Sequence, residues 1–221
     1  MINQNVKILI HKTSDFEFSE RLDQAWDIAG FHELKDVTSG NSVEKKAKAK
    51  MLWSENYLYV LFDVEDDHIW GTYQKNDDPI YDEEVVEVFI TLGEKDPQNY
   101  LELQFSPLGV KFDAKVQNPT GSRHDEGFAV NKSWDSNLEF VQSIVETDSH
   151  ADYKIGRWIT QVKIPAKEIG QRNFTLGDKL RGNLFRIDGY PKQNSYQALM
   201  PNLESVPNFH TPKKFATFEL I

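Results

Sequence analysis

The 221-residue chain has no cysteine, which excludes disulfides, thiolate metal sites and a cysteine nucleophile. It also lacks long hydrophobic runs. The longest, Tyr57 to Phe62, is far below the roughly 20 apolar residues of a membrane-spanning helix, so no span is expected. The opening MINQNVKILIHK has an apolar run too short for a signal peptide. That leaves the compartment open between cytoplasm and a mature secreted or periplasmic form. Positive charge is in deficit: 25 Lys and Arg face 35 Asp and Glu, for a net charge of -10. Such a chain repels phosphates, which argues against nucleic acid and anionic membranes as partners. There is no glycine-rich phosphate loop, no Gly-x-Ser-x-Gly elbow and no His-x-x-x-His pair among the six histidines.

What is present is aromatic and strand-like. Hydrophobic residues make up 39% of the chain and aromatic residues 12%, enough to build a core. The dominant period is two. In YLYVLFDVE, Leu58, Val60, Phe62 and Val64 share one face, and Tyr57, Tyr59, Leu61 and Asp63 the other. The segments EVVEVFITL, YLELQFS and GVKFDAKV alternate in the same way, and further strands are expected over 138–145, 157–164, 180–187 and 215–220. Turn signals such as Asp77-Asp78-Pro79 and Ser106-Pro107-Leu108-Gly109 separate them. Helix signals are confined to a turn or two over Ser19–Trp26 and a single turn at Pro165–Gly170. This pattern predicts an all-β fold, an antiparallel β-sandwich of jelly-roll or immunoglobulin-like type with one or two short helical turns. One domain over 1–221 is expected, with 1–15 as a peripheral leader or edge strand. Residues 117–137 form the longest irregular stretch.

The acidic excess is local. The stretch from Asp63 to Val88 has a net charge of -9, whereas from Arg157 onward the balance is +5. Asp63, Glu65, Asp66 and Asp67 are candidate oxygen ligands for calcium, although they lack the spacing of an EF-hand loop. Their bland reading is a solvated face. Glu87 interrupts the apolar VVEVFI strand, so it is either ion-paired or lines an open sheet face. Arg186, in LFRID, poses the same question and is a candidate partner for Glu87 or Asp188. Trp70 follows an acidic run beside Gly71, where an exposed ring would suit the apolar face of a sugar. Trp26, Trp53, Trp134 and Trp158 read as core.

Six segments in register carry a resemblance: MLWSENYLYVLFDVEDDHIW, YDEEVVEVFITL, YLELQFSPLGVKFDAKV, WITQVKIPAKEIG, LRGNLFRID and FHTPKKFATFEL. Together they resemble family 9 carbohydrate-binding modules, in the family 9-like branch, from about Phe16 to Leu220. The resemblance implies a β-sandwich and non-catalytic sugar binding as an accessory to polysaccharide degradation. It also implies bound calcium, and a mono- or oligosaccharide held between aromatic rings. By motif, Trp70 matches the first stacking ring, Glu87 the acid of the EVF motif, and Asn183 and Arg186 the polar residues of NLFRI. His210 matches the FH-x-P motif, where bracing the turn is an equal reading. One departure stands out. Leu199 in Ala198-Leu199-Met200-Pro201 occupies the place of the usual second Trp, leaving Tyr190 or Tyr196 as candidate replacements. The alternatives are a glycoside hydrolase using paired carboxylates and a scaffold that has lost its sugar site.

Overall fold

The computed structural model describes residues 6–189 and 194–221. Its first strand, β1 (Lys7–Lys12), joins two layers. One layer contains β2 (His32–Glu33), β4 (Ala47–Trp53), β5 (Tyr57–Ile69), β10 (Glu139–Ser149) and β11 (Lys154–Pro165). The other contains β3 (Lys35–Asp36), β6 (Val85–Leu92), β7 (Asn99–Phe105), β8 (Lys111–Gln117), β9 (Ala129–Asn131), β12 (Lys179–Asp188), β13 (Ser195–Ala198) and β14 (Ala216–Leu220). The continuous strand order is β10-β11-β5-β4-β1-β14-β12-β6-β7-β8-β9.

Alternation along each strand divides the apolar side chains between an interior and two outer faces. Val60, Phe62, Val64, Trp158 and Val162 of the first layer meet Val86, Val88, Ile90, Leu103, Leu184 and Phe218 of the second in the interlayer core. On the outer face of the first layer, Tyr59 and Leu61 pack with Trp26, Phe16 and Phe18. On the outer face of the second, Phe89, Tyr100, Phe112, Phe185, Ile187 and Phe209 form a third cluster, and the candidate site opens there. As expected, Trp26, Trp53 and Trp158 are buried, while Trp134 is half-buried against the core beneath the Lys115 ammonium.

Two features differ from the sequence expectation. The sandwich is not wholly antiparallel, because β1 runs parallel to β14 and to β4. A tight hairpin forces antiparallel pairing, but no hairpin links β1 to either neighbour, so direction is free to follow packing. Residues 7–12, expected at the periphery, therefore bridge the layers. The helical turns are short, as expected. A 3-10 turn spans Gln24–Ile28, capped by the Asp23 carboxylate accepting from the Ala25 N–H at 2.8 Å. The helix α1 (Ala166–Ile169) ends at Gly170, whose φ of 105° suits glycine. Among the described residues, no helix is long and apolar enough to cross a membrane.

Candidate functional site

Three strands of the second layer build a floor. Glu87 on β6 is paired in register with Gln104 on β7, and Phe89 with Glu102. Gln104 is in turn opposite Phe112 on β8. Side chains of the same parity point outward, so Glu87, Glu102 and Gln104 lie side by side. Around them is a cavity of about 320 Å³ walled by Tyr81, Phe112, Ile187, Tyr196, Phe209 and His210. Arg123 and Lys132 stand at its exposed rim.

The floor is polar, buried and short of partners. Glu87 is 2% exposed and Glu102 6% exposed. Gln104 donates to Glu102 Oε1 at 2.7 Å, whereas Glu102 Oε2 is buried with no hydrogen bond. Among the described residues, nothing is hydrogen-bonded or ion-paired to Glu87. Burial, then the neighbouring Glu102, pushes the Glu87 carboxyl far above the usual range. Burial pushes Glu102 up to about 7, against the opposing pull of the Gln104 amide and Lys132. His210 is held neutral, since burial lowers it to about 4, followed by the charge of Arg123. Its Nδ1 is 2.8 Å from Tyr100 Oη, and its Nε2 is 4.0 Å from Glu102 Oε2. Asn118 ties down the same segment by donating to the His210 carbonyl at 3.2 Å.

Of the residues singled out in the sequence, Glu87, Tyr196 and His210 meet at this cavity. Tyr190 lies outside the described residues. Trp70, Asn183 and Arg186 sit elsewhere. Trp70 is half-buried beyond the end of β5, tilted against His68 at a centroid distance of 6.4 Å. Asn183 spends both ends of its amide on the 198–200 turn. It donates to the Met200 carbonyl at 2.9 Å and accepts from the Met200 N–H at 2.9 Å. Leu199 packs against the interlayer core rather than the cavity.

Arg186 is fully buried between the layers. It donates to Asp66 Oδ2 at 2.8 Å and to Glu84 Oε1 at 3.1 Å. It also donates to the backbone carbonyls of Lys45 and Glu65. Its partners are thus Asp66, Glu84 and, at 3.7 Å, Asp188, rather than Glu87. The guanidinium ties the second layer to β5 of the first.

The acidic stretch is dispersed by the same alternation. Asp63 pairs with Arg157 and Lys48, Asp67 with Lys45, and Asp66 with Arg186, while Glu65 is exposed. These four do not form a shared oxygen cage. Oxygens of Asp66, Glu84 and Asp188 do lie within 4.8 Å of one another. The Arg186 guanidinium already occupies the place of a cation among them, and Lys45 approaches Asp188 at 3.4 Å. That donor set does not fit calcium unless Arg186 leaves.

Sequence reasoning missed Glu102, Gln104, Tyr81, Phe112, Lys132, Arg123 and Phe209 at the cavity. For Glu102 and Gln104 the signal was available, because YLELQFS puts both opposite Leu101 and Leu103, as VVEVFI does for Glu87. Only the strand register reveals that the two polar faces coincide.

The chain is similar in sequence and fold to known proteins. Residues 20–176 match the carbohydrate family 9 binding domain-like family. An "Extracellular protein" of Arthroderma benhamiae is 31% identical over 150 residues, covering 65% of this chain and 66% of that protein. The match therefore spans just under two thirds of that relative. A solved putative carbohydrate-binding protein from Bacteroides uniformis superposes with a TM-score of 0.72 at 13% identity, over 98% of this chain and 99% of that one. A family 9 module from Caldicellulosiruptor kristjanssonii, solved with cellotriose, gives a TM-score of 0.63 at 13% identity, over 97% and 93% of the two chains. The same module with glucose gives 0.62 at 14% identity, over 97% and 95%. These structures share the sandwich fold, and the sequence match over most of its length shows that the chain belongs to the carbohydrate family 9 binding domain-like family.

Proposed function

We propose that the chain is a non-catalytic carbohydrate-binding domain whose ligand occupies the cavity over Glu87, Glu102 and Gln104. The observation that carries this reading is the combination of ring walls and a buried polar floor in one cavity of about 320 Å³. A pyranose has an apolar face for Tyr196, Tyr81 or Phe209 and a rim of hydroxyls for buried acceptors. Glu102 Oε2 lacks a donor, and a ligand hydroxyl supplies one. The structural neighbours solved with cellotriose and with glucose support β-linked glucans as the first ligands to try. In this reading Trp70, Asn183 and Arg186 hold the fold.

The paired carboxyls favour a hydrolase only by residue type. A glycosidase places its two carboxyls on either side of the scissile bond. Glu87 and Glu102 instead stand side by side on one sheet face. Titration calorimetry against glucose, cellobiose, cellotriose and a broad glycan panel tests the proposal. Saturable heat that Tyr196→Ala weakens about tenfold supports it, that factor corresponding to about 1.4 kcal/mol of lost stacking. No heat with any glycan overturns it. Release of chromophore from aryl glycosides would transfer the site to the hydrolase reading.

A further inference from the structure

The cavity floor holds two buried carboxyls, a pair that retains a proton when empty and can give it up to a bound cation. Two carboxyls stand side by side, and among the described residues no cationic group is hydrogen-bonded to either. One of them, more than nine-tenths buried, aims an unpartnered oxygen into the site. A ligand hydroxyl brings one donor and no charge. An ammonium brings three donors and a positive charge, and its bonds to carboxylates are the stronger, charge-assisted kind. The walls already hold such a group. The Lys132 ammonium sits over the Tyr81 ring at 5.0 Å and the Phe112 ring at 5.4 Å, and donates to Tyr81 Oη at 2.9 Å. Lys132 and Arg123 oppose an incoming cation, but both are exposed at the rim, where water and salt screen them. The carboxyls are buried, so the charge they take on when a cation displaces their proton is screened far less.

Building on the sugar-binding reading above, we infer that the site is specific for an amino sugar, whose protonated amine lies between Glu87 and Glu102. The shift of Glu102 to about 7 agrees with this arrangement, since the pair retains a proton that a bound cation displaces. Neutral sugars remain ligands, held by the same rings, but without the charge.

The test compares three β-1,4-linked trimers that differ at the C2 substituent: glucosamine, glucose and N-acetylglucosamine. Calorimetry is run at pH about 7, where an amine with a pKa near the 7.7–8 of a model amino group is mostly protonated. The glucosamine trimer is expected to bind about tenfold more tightly than the glucose trimer, equivalent to about 1.4 kcal/mol. An acidic protein also attracts any cation through its overall field, so the control is the double variant Glu87→Gln with Glu102→Gln. It replaces two buried carboxyls by neutral amides and introduces no new bulk. In it the tenfold preference should fall to near one. Equal or tighter binding of the glucose trimer overturns the amino-sugar inference and leaves the sugar site standing. A preference that survives in the double variant also overturns it, by tracing the effect to surface charge. If no trimer binds, the amino-sugar inference falls, and the sugar-binding reading falls with it when the broad glycan panel gives no heat either.

Discussion

Arg186 donates to Asp66 across the interlayer gap at 2.8 Å, and both side chains are fully buried. Glu84 and Asp188 complete a cluster in which three carboxyls surround one guanidinium. Burial raises the Glu84 carboxyl well above its ordinary range, followed by the opposing pull of Arg186. Removing one partner of such a buried group typically costs about 3–5 kcal/mol, because the others lose their counter-charge. Arg186→Met should therefore lower the unfolding free energy by several kcal/mol in urea titrations. Arg186→Lys should recover part of the loss, since an ammonium restores charge without the fork. If Arg186→Lys is as stable as the parent, this account of the cluster fails.

Trp70 and Tyr196 separate the two places where an aromatic sugar platform was sought. Tyr196 walls the cavity and Trp70 does not. Trp70→Ala should leave glycan affinity within about twofold of the parent, whereas Tyr196→Ala should weaken it about tenfold, the factor given by about 1.4 kcal/mol. The reverse pattern in calorimetric titrations would relocate the site to the end of β5.

The carboxyl floor makes stability depend on pH. Glu102 is raised from 4.5 to about 7 by burial, so the folded protein binds more protons than the unfolded chain between those values. Stability is therefore highest below about 4.5 for this group and falls as pH rises through about 7. The full change is on the order of 3 kcal/mol, at about 1.36 kcal/mol per pKa unit. Glu87 extends the decline to higher pH, since it too is raised by burial and then by Glu102. Urea titrations of the parent and Glu102→Gln at pH 5 and pH 8 check this. The variant should show a shallower decline and greater stability than the parent at pH 8. Equal slopes would show that Glu102 ionises as freely folded as unfolded.

Gly182 on β12 tests packing beneath the floor. A Cβ there would lie 2.5 Å from the Phe89 carbonyl oxygen and 2.7 Å from Ile90 Cδ1. The first contact is with backbone and cannot swing aside. Gly182→Ala should cost about 1–3 kcal/mol, as other overpacked sites do. It should also weaken glycan binding by shifting β6 under Glu87. An unchanged melting temperature would show that the two strands part freely.

The alternation of polar and apolar residues was sufficient to identify a β-sandwich and to put Leu58, Val60, Phe62 and Val64 on a single face. That information is local, since each strand's period depends only on its own residues. It also marked Glu87 as a carboxylate on an otherwise apolar face. The acidic cluster could not be resolved in the same way. Four acids within five positions suggest one site, yet alternation sends Asp66 to the interlayer core while Asp63 pairs with Arg157.

By itself, the sequence determined the period of the strands, the turns between them, the core tryptophans and membership of a carbohydrate-binding family. The tertiary structure decided which buried charges meet. Glu87 lies opposite Gln104 and diagonally beside Glu102, rather than with Arg186, because register across β6 and β7 pairs residues more than a dozen positions apart in the chain. Arg186 points to the opposite face of its sheet, where Asp66 of β5 meets it. Register and layer packing are properties of strands brought together, and no window of residues along the chain contains them.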